Sequence, residues 1–105
     1  MSINIKSKLN ESDSLWDVHL SGEIDVSTAN EVKENLINLI SKQSADIKLD
    51  MTNLDYIDST GLGALIGVLK RLKENNKDIY ITNTKKNVRK IFNITGLDKI
   101  FKVEG

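Results

Sequence analysis

Hydrophobic and polar residues alternate in four segments of this chain, which predicts strands that are buried on one face only. The alternating hydrophobic positions are Ile3, Ile5 and Leu9; Trp16, Val18 and Leu20; Ile47, Leu49 and Met51; and Ile79 and Ile81. A parallel sheet with helices on both faces would need strands that are hydrophobic nearly throughout. We therefore expect a two-layer α/β fold, in which a mixed sheet of four to five strands has helices mainly on one face.

Three further segments have the hydrophobic spacing of amphipathic helices. In the first, Thr28 and Glu31 have the spacing of a capping box, and the third ends near Gly96, a residue typical of helix C-termini. The three hydrophobic stripes are Val32, Leu36, Leu39 and Ile40; Leu62, Leu65, Ile66, Leu69 and Leu72; and Val88, Ile91 and Phe92. Because the chain has no proline and no linker-like stretch, we expect one domain over residues 1–105. Its predicted order is ββαβαβα, followed by a helical turn and an edge strand.

The composition of the chain argues against several classes of function. It has 15 basic and 15 acidic side chains and no cysteine, so neither a polyanion-binding surface nor a thiolate metal site is expected. The longest hydrophobic stretch, residues 62–69, is far shorter than the roughly 20 residues needed to span a bilayer. We expect a cytoplasmic protein that binds neither nucleic acid nor membrane and needs no cofactor.

The side chains that catalysis would need are not arranged for it. A serine nucleophile requires a base within hydrogen-bonding distance, and the only histidine, His19, falls on the solvent side of the second predicted strand. The glycines of residues 61–67 are not followed by the Lys-Ser/Thr pair of a phosphate-binding loop. The aspartates of residues 50–58 lack the spacing of a calcium loop. We expect neither an enzyme nor a metal site.

The most informative segment, residues 55–63, joins a predicted strand to a predicted helix. Asp58 and Ser59 are both suited to cap the helix N-terminus, which is the simplest role for them. A phosphate on Ser59 would also be accepted there, because the free N–H groups of a helix N-terminus favour anions. The same phosphate would add about −1.5 to −2 charges close to Asp25, Asp55 and Asp58. The hydroxyl is therefore a candidate switch for the binding of a partner.

The second predicted helix has a face with few side chains. A glycine inside a helix costs about 1 kcal/mol relative to alanine, yet Gly61, Gly63 and Gly67 all lie in or near this helix. The residues that a helical wheel places opposite the leucine stripe are Thr60, Gly63, Ala64 and Gly67. Such a face permits close approach of a partner protein or of another segment of the same domain. We favour partner docking and keep internal packing as the alternative.

Three segments resemble motifs of the anti-sigma-factor antagonists, a bacterial family with the STAS fold, and the resemblance extends over essentially the whole chain. In order along the chain they are residues 22–26 (GEIDV), 56–63 (YIDSTGLG) and 92–97 (FNITGL). Residues 56–63 resemble the phosphorylation motif of the family, in which Ser59 matches the phosphoacceptor. The helical wheel alone would instead favour Thr60 as the more exposed hydroxyl. The branch that the chain resembles most controls general-stress or sporulation sigma factors by partner switching.

The resemblance implies a regulator and not an enzyme. In this family the unphosphorylated protein binds an anti-sigma factor that is also a serine kinase, and this binding frees the sigma factor. Phosphorylation, which the resemblance places on Ser59 here, abolishes binding. A PP2C-type serine phosphatase reverses the phosphorylation. The residues expected to contact the partner, from the resemblance and from the helix face together, are Asp25, Asp58, Ser59, Thr60, Gly61, Gly63, Ala64 and Gly67. The alternative is a constitutive STAS scaffold or a transporter-associated interaction module, without phosphorylation.

Overall fold

Two strands and then three helix-strand units make up the chain, which the computed structural model describes over residues 2–104. Residues 1 and 105 of the predicted domain lie outside that range. The elements are β1 (Ile3–Asn10), β2 (Leu15–Ile24), α1 (Ala29–Lys42), β3 (Asp46–Ile57), α2 (Ser59–Lys73), β4 (Ile79–Thr82), α3 (Lys86–Thr95), a 3₁₀ turn (Leu97–Lys99) and β5 (Lys102–Val103). This order confirms the predicted ββαβαβα arrangement with its final turn and strand.

The five strands form one sheet in the order β1-β2-β3-β4-β5. The first two strands are an antiparallel hairpin, and every later pair of neighbours is parallel. A parallel pair needs a connection that returns across the sheet, and α1, α2 and α3 each lie in such a connection. The three helices therefore all begin at the carboxyl edge of the parallel strands.

The strands are buried on one face only, as their alternation predicts. In β3 the inward Ile47, Leu49 and Met51 are fully buried, whereas their neighbours Lys48 and Asp50 remain half-buried on the other face. The inward strand residues form one core with hydrophobic residues of all three helices. The prediction of a mixed sheet with one covered face and one solvated face is confirmed.

The capping box predicted for α1 does not form. Thr28 stands at the N-cap position, but its side chain makes no hydrogen bond to the start of the helix. Its hydroxyl instead donates to the Glu23 carbonyl oxygen at 2.8 Å and accepts from the Asp25 N–H at 2.9 Å. The buried Thr28 therefore fixes the loop between β2 and α1, and Glu31 stays exposed in the first turn.

The predicted bare face of α2 is only partly bare, because α1 packs along one side of this helix. Ala64 is buried, and the side chain of Lys33 in α1 lies over Gly67, where an added Cβ would come within 3.0 Å of the lysine Cε. Thr60 and Gly63 are exposed, and a Cβ on Gly63 would have no neighbour within 4 Å. The exposed part of the predicted docking face is therefore reduced at Ala64, which is buried, and at Gly67, which is half-buried under the Lys33 side chain.

Gly61 and Gly63 give a matched pair of substitutions in α2. A Cβ on Gly61 would lie 2.7 Å from Cγ2 of Ile24 and 2.8 Å from Cγ1 of Ile57. Gly61→Ala is therefore expected to lower the free energy of unfolding by about 1–3 kcal/mol through overpacking. Gly63→Ala meets open space and is expected to raise it by up to about 1 kcal/mol through helix propensity. Urea denaturation measures both, and equal effects would contradict the packing described for Gly61.

Candidate functional site

The carboxyl ends of β2 and β3 are held side by side. Ile24 pairs with Ile57 in register, and the N–H of Asp58 donates to the Ile24 carbonyl oxygen at 3.2 Å. The pairing of these two strands shifts register twice before this point, and such irregularities redirect the ends of strands near binding sites. Asp25 and Asp58, which follow the paired isoleucines, therefore lie at the same edge of the sheet.

Gly22 is required at the second of these register shifts. Its φ is +114°, in the region that residues with a side chain rarely adopt. A Cβ there would also collide with the carbonyl oxygen of Ser2, which accepts a hydrogen bond from the Glu23 N–H at 2.9 Å. The absence of a side chain at Gly22 thus allows the backbone to change direction at the register shift, and β2 then ends at Ile24, with Asp25 at the carboxyl edge of the sheet.

The carboxylate of Asp58 caps α2. Its Oδ1 accepts hydrogen bonds from the Thr60 N–H at 3.0 Å, the Gly61 N–H at 3.2 Å and the Thr60 hydroxyl at 2.5 Å. Of the two residues that the sequence offers as N-cap, Asp58 takes the position and Ser59 is the first helical residue. The second carboxylate oxygen, Oδ2, makes no hydrogen bond within residues 2–104.

Ser59 and Thr60 differ in what their hydroxyls do. Both residues are exposed in the first turn of α2, but the Thr60 hydroxyl donates to Asp58. The Ser59 hydroxyl makes no hydrogen bond to the described part of the chain. The helical wheel ranks Thr60 above Ser59 by its angle from the leucine stripe alone, and it takes no account of the hydrogen bond that the Thr60 hydroxyl makes. Of these two exposed hydroxyls, only that of Ser59 is without a hydrogen bond to residues 2–104.

Asp25 forms the same kind of turn before α1. Its Oδ1 accepts from the Ser27 hydroxyl at 2.6 Å and from the Ser27 N–H at 2.9 Å. The bond from the Ser27 hydroxyl, foremost among several contacts, holds the pKa of Asp25 below its ordinary value. Asp25 is 8% exposed, so a largely buried carboxylate keeps its negative charge at this edge.

Val26 is the residue at this edge that the sequence reasoning did not select. It is 81% exposed and stands between Asp25 and Ser27, whose side chains are bonded to each other. The signal in the sequence was a lone hydrophobic residue in a polar loop between strand and helix. A single exposed valine is common on protein surfaces, so the pattern alone did not distinguish it.

His19 is too far from Ser59 to serve it as a base. It lies on the open face of the sheet, 3.5 Å from Asp17 and 3.6 Å from Asp50, with its side chain 55% exposed as expected. Asp50 precedes Asp58 by eight residues, nearly all of them in β3, a length of roughly 25 Å at about 3.3 Å per residue. His19 is therefore not placed to act as a base for the Ser59 hydroxyl.

The remaining acidic residue of the segment, Asp55, is engaged elsewhere. Its carboxylate pairs with the ammonium of Lys85, and its carbonyl oxygen accepts from the Asn87 side chain at 2.8 Å. Within residues 2–104 no three His, Cys, Asp or Glu side chains are grouped so that they could hold a metal ion. Nor does any helix in that range combine the length and hydrophobicity that crossing a membrane requires.

Ser27→Ala tests the electrostatics of the Asp25 turn. The variant loses the hydroxyl donor, so the pKa of Asp25 is expected to rise towards its ordinary value of 3.8. A lowered carboxyl pKa stabilises the fold above the unfolded-state pKa, and this contribution is lost as the pH falls through the folded-state pKa. The variant should therefore be less stable than the wild type above about pH 4 and approach it in stronger acid.

Carboxyl-detected NMR titration measures this pKa directly, and thermal denaturation across pH measures its consequence. Thr52→Ala is the control, because it removes the corresponding hydroxyl from Asp50 and should leave the pKa of Asp25 unchanged. An unaltered Asp25 titration in Ser27→Ala would refute the assignment of the shift to this bond.

Comparison with known proteins agrees with this fold. Residues 6–105 match the STAS domain family. The anti-sigma-B factor antagonist of Staphylococcus epidermidis is 35% identical over 103 residues, which are 98% of this chain and 94% of that relative.

Solved structures are similar over nearly the whole chain. An anti-sigma factor antagonist from Mycobacterium paratuberculosis superimposes with a TM-score of 0.80 at 25% identity, over 97% of this chain and 85% of that one. The Bacillus cell fate determinant SpoIIAA in the phosphorylated form shares the fold, with a TM-score of 0.71 at 19% identity over 97% of this chain and 92% of that one. Because the family match extends over residues 6–105 and the solved relatives have the same fold, this chain belongs to the STAS domain family, among the relatives of anti-sigma factor antagonists.

Proposed function

We propose that this chain is an anti-sigma factor antagonist, whose unphosphorylated form binds an anti-sigma factor and so releases a sigma factor for transcription. The name of the relative that is 35% identical over 98% of the chain supports this role. The proposed binding surface is the edge formed by the ends of β2 and β3 and the start of α2. The chain acts as a cytoplasmic regulator in this proposal and catalyses no reaction itself.

The observation that carries the proposal is the free hydroxyl of Ser59 beside a neighbour whose hydroxyl is engaged. The anti-sigma factor is proposed to be a serine kinase as well. The Ser59 Oγ attacks the γ-phosphorus of ATP bound to the kinase, the bond from that phosphorus to the ADP oxygen breaks, and the hydroxyl proton passes to a base of the kinase. A PP2C-type serine phosphatase later hydrolyses the phosphoester and restores the hydroxyl.

Charge explains how the phosphate ends binding. A phosphoserine adds about −1.5 to −2 charges to an edge that already carries Asp25 and Asp58. The positive end of the α2 dipole favours the phosphate within the chain, although Asp58 already accepts from the Thr60 and Gly61 N–H groups. A partner fitted to a small neutral hydroxyl meets a bulky dianion. A coupling of about 3 kcal/mol between phosphate and partner would weaken binding more than a hundredfold.

Burial divides the residues predicted to contact the partner. Those that reach the surface at this edge are Asp58, Ser59, Thr60 and Gly63, with Asp25 beside them. Gly61 and Ala64 are buried, and the Lys33 side chain covers Gly67. We propose contact for the first group and assign the other three to the packing of α2.

Phosphorylation of wild type, Ser59→Ala and Thr60→Ala by the cognate anti-sigma factor with ATP tests the assigned hydroxyl. Intact mass spectrometry is expected to show one added phosphate on the wild type and none on Ser59→Ala. Thr60→Ala should still be phosphorylated, because it loses only the hydroxyl bonded to Asp58. Absence of phosphate from the wild type would support the constitutive scaffold instead, and phosphate retained by Ser59→Ala would refute the site.

Gly63→Leu tests whether the exposed part of α2 meets the partner. The leucine side chain has open space in the isolated chain and favours the helix over glycine, so the melting temperature is expected to equal that of the wild type or to rise by several degrees. In the complex the same side chain would intrude, and the affinity for the anti-sigma factor should fall about tenfold or more. Calorimetric titration and thermal melting separate the effects; unchanged binding with a collapsed melting temperature would mean that this face packs internally.

A further inference from the structure

Val26 is an exposed hydrophobic side chain held in a rigid loop. Its neighbours Asp25 and Ser27 are bonded side chain to side chain at 2.6 Å, and the buried Thr28 hydroxyl ties the loop to β2 through Glu23. The Val26 side chain, 81% exposed, contributes little to the core. The loop therefore presents the valine in one fixed place, which reduces the conformational entropy that docking would have to remove.

The position of Val26 relative to the proposed switch follows from strand pairing. The bond from the Asp58 N–H to the Ile24 carbonyl oxygen places the chain after Ile24 beside the chain after Ile57. Val26 thus stands two residues beyond one strand end, and Ser59 stands two residues beyond the other. The two residues therefore follow neighbouring strand ends at the same edge of the sheet.

The carboxylates beside Val26 each keep one oxygen for a partner. Asp25 and Asp58 both use Oδ1 for bonds inside the chain, and their Oδ2 atoms make no hydrogen bond within residues 2–104. The surface is therefore a hydrophobic side chain next to two acidic groups. Its complement is a hydrophobic pocket with cationic or N–H donors at its rim.

We propose that Val26 is an anchor residue for the anti-sigma factor, inserting into a hydrophobic pocket whose rim donates to Asp25 and Asp58. This inference rests on the proposed function and adds a determinant of partner choice to it. Asp25, Ser27 and Thr28 are each needed for the turn, whereas Val26 can change without loss of an internal bond. It is thus the position of this loop at which different partners can be distinguished.

Three other hydrophobic side chains within residues 2–104 are exposed. Tyr56, 43% exposed, lies near the same strand ends, where it pairs with Glu23. Ile94, 72% exposed, lies in the last turn of α3, and Ile100, 44% exposed, follows the 3₁₀ turn; α3 begins at the carboxyl edge of the sheet and leads back to β5, so both lie away from Ser59. Ile94 is therefore a matched control for Val26, being an aliphatic residue of similar exposure far from the proposed interface.

The test measures binding of the full chain to its cognate anti-sigma factor by calorimetry, for Val26→Ala, Val26→Thr and Ile94→Thr. Loss of the buried methyl groups is expected to weaken binding about tenfold in Val26→Ala, and Val26→Thr should weaken it at least as much. Ile94→Thr should bind like the wild type. In the kinase assay, Val26→Ala should raise KM and leave kcat unchanged, because the contact is present in ground state and transition state alike.

The outcomes separate this inference from the proposed function. If Val26 variants bind within twofold of the wild type while Ser59→Asp loses binding, the anchor role is refuted and the switch stands. Equal losses in Val26→Thr and Ile94→Thr would also refute it, because the effect would not be local. If the wild type does not bind, the proposed function fails and the anchor role fails with it; if Ser59→Asp binds as the wild type does, the charge switch fails and the Val26 variants still decide the anchor role.

Discussion

The bonds made by Asp58 determine where the sheet ends and the helix starts. Its N–H is fixed to the Ile24 carbonyl oxygen of the neighbouring strand, and its carboxylate gathers the Thr60 and Gly61 donors at the start of α2. One residue thereby joins β2, β3 and α2. The loop after Ile24, the exposure of Ser59 and the direction of α2 all follow from this junction.

Close packing beneath the junction depends on a missing side chain. Gly61 lies against Ile24 and Ile57, the last residues of the two paired strands. A helix that started with a larger residue there would stand farther from the sheet, and Asp58 could not reach its donors from the same position. The hydrophobic core and the polar turn are therefore two consequences of the same contact between helix and strands.

Local patterns in the sequence predict most of this fold. Alternation in Ile47, Leu49 and Met51 is sufficient because successive strand residues point to opposite faces. What the local patterns miss are contacts with neighbouring segments: Thr28 bonds to the Glu23 carbonyl oxygen and not to its own helix, and the Lys33 side chain of α1 lies over Gly67. A helical wheel describes one helix without its neighbours, so it cannot predict either result.

The site was predictable in part for the same reason. Asp58 and Ser59 fall at a strand-to-helix boundary that the sequence marks clearly, and the resemblance names Ser59. The choice between Ser59 and Thr60 from structure alone depends on the direction of one hydroxyl, which no periodicity contains. Val26 is exposed in a loop that the bond between its neighbours Asp25 and Ser27 holds in place, and that too is visible only in three dimensions.

The turn at Asp58 has a consequence for how quickly such a protein can change state. Asp25, Asp50 and Asp58 each bind the hydroxyl two residues ahead, so a group attached to one of those hydroxyls would dismantle a turn. Ser59 occupies the intervening position, where a group can be attached and removed while every bond of the turn persists. Under the proposed function, repeated cycling would then require no refolding, and its pace would be set by the enzymes that act on the serine.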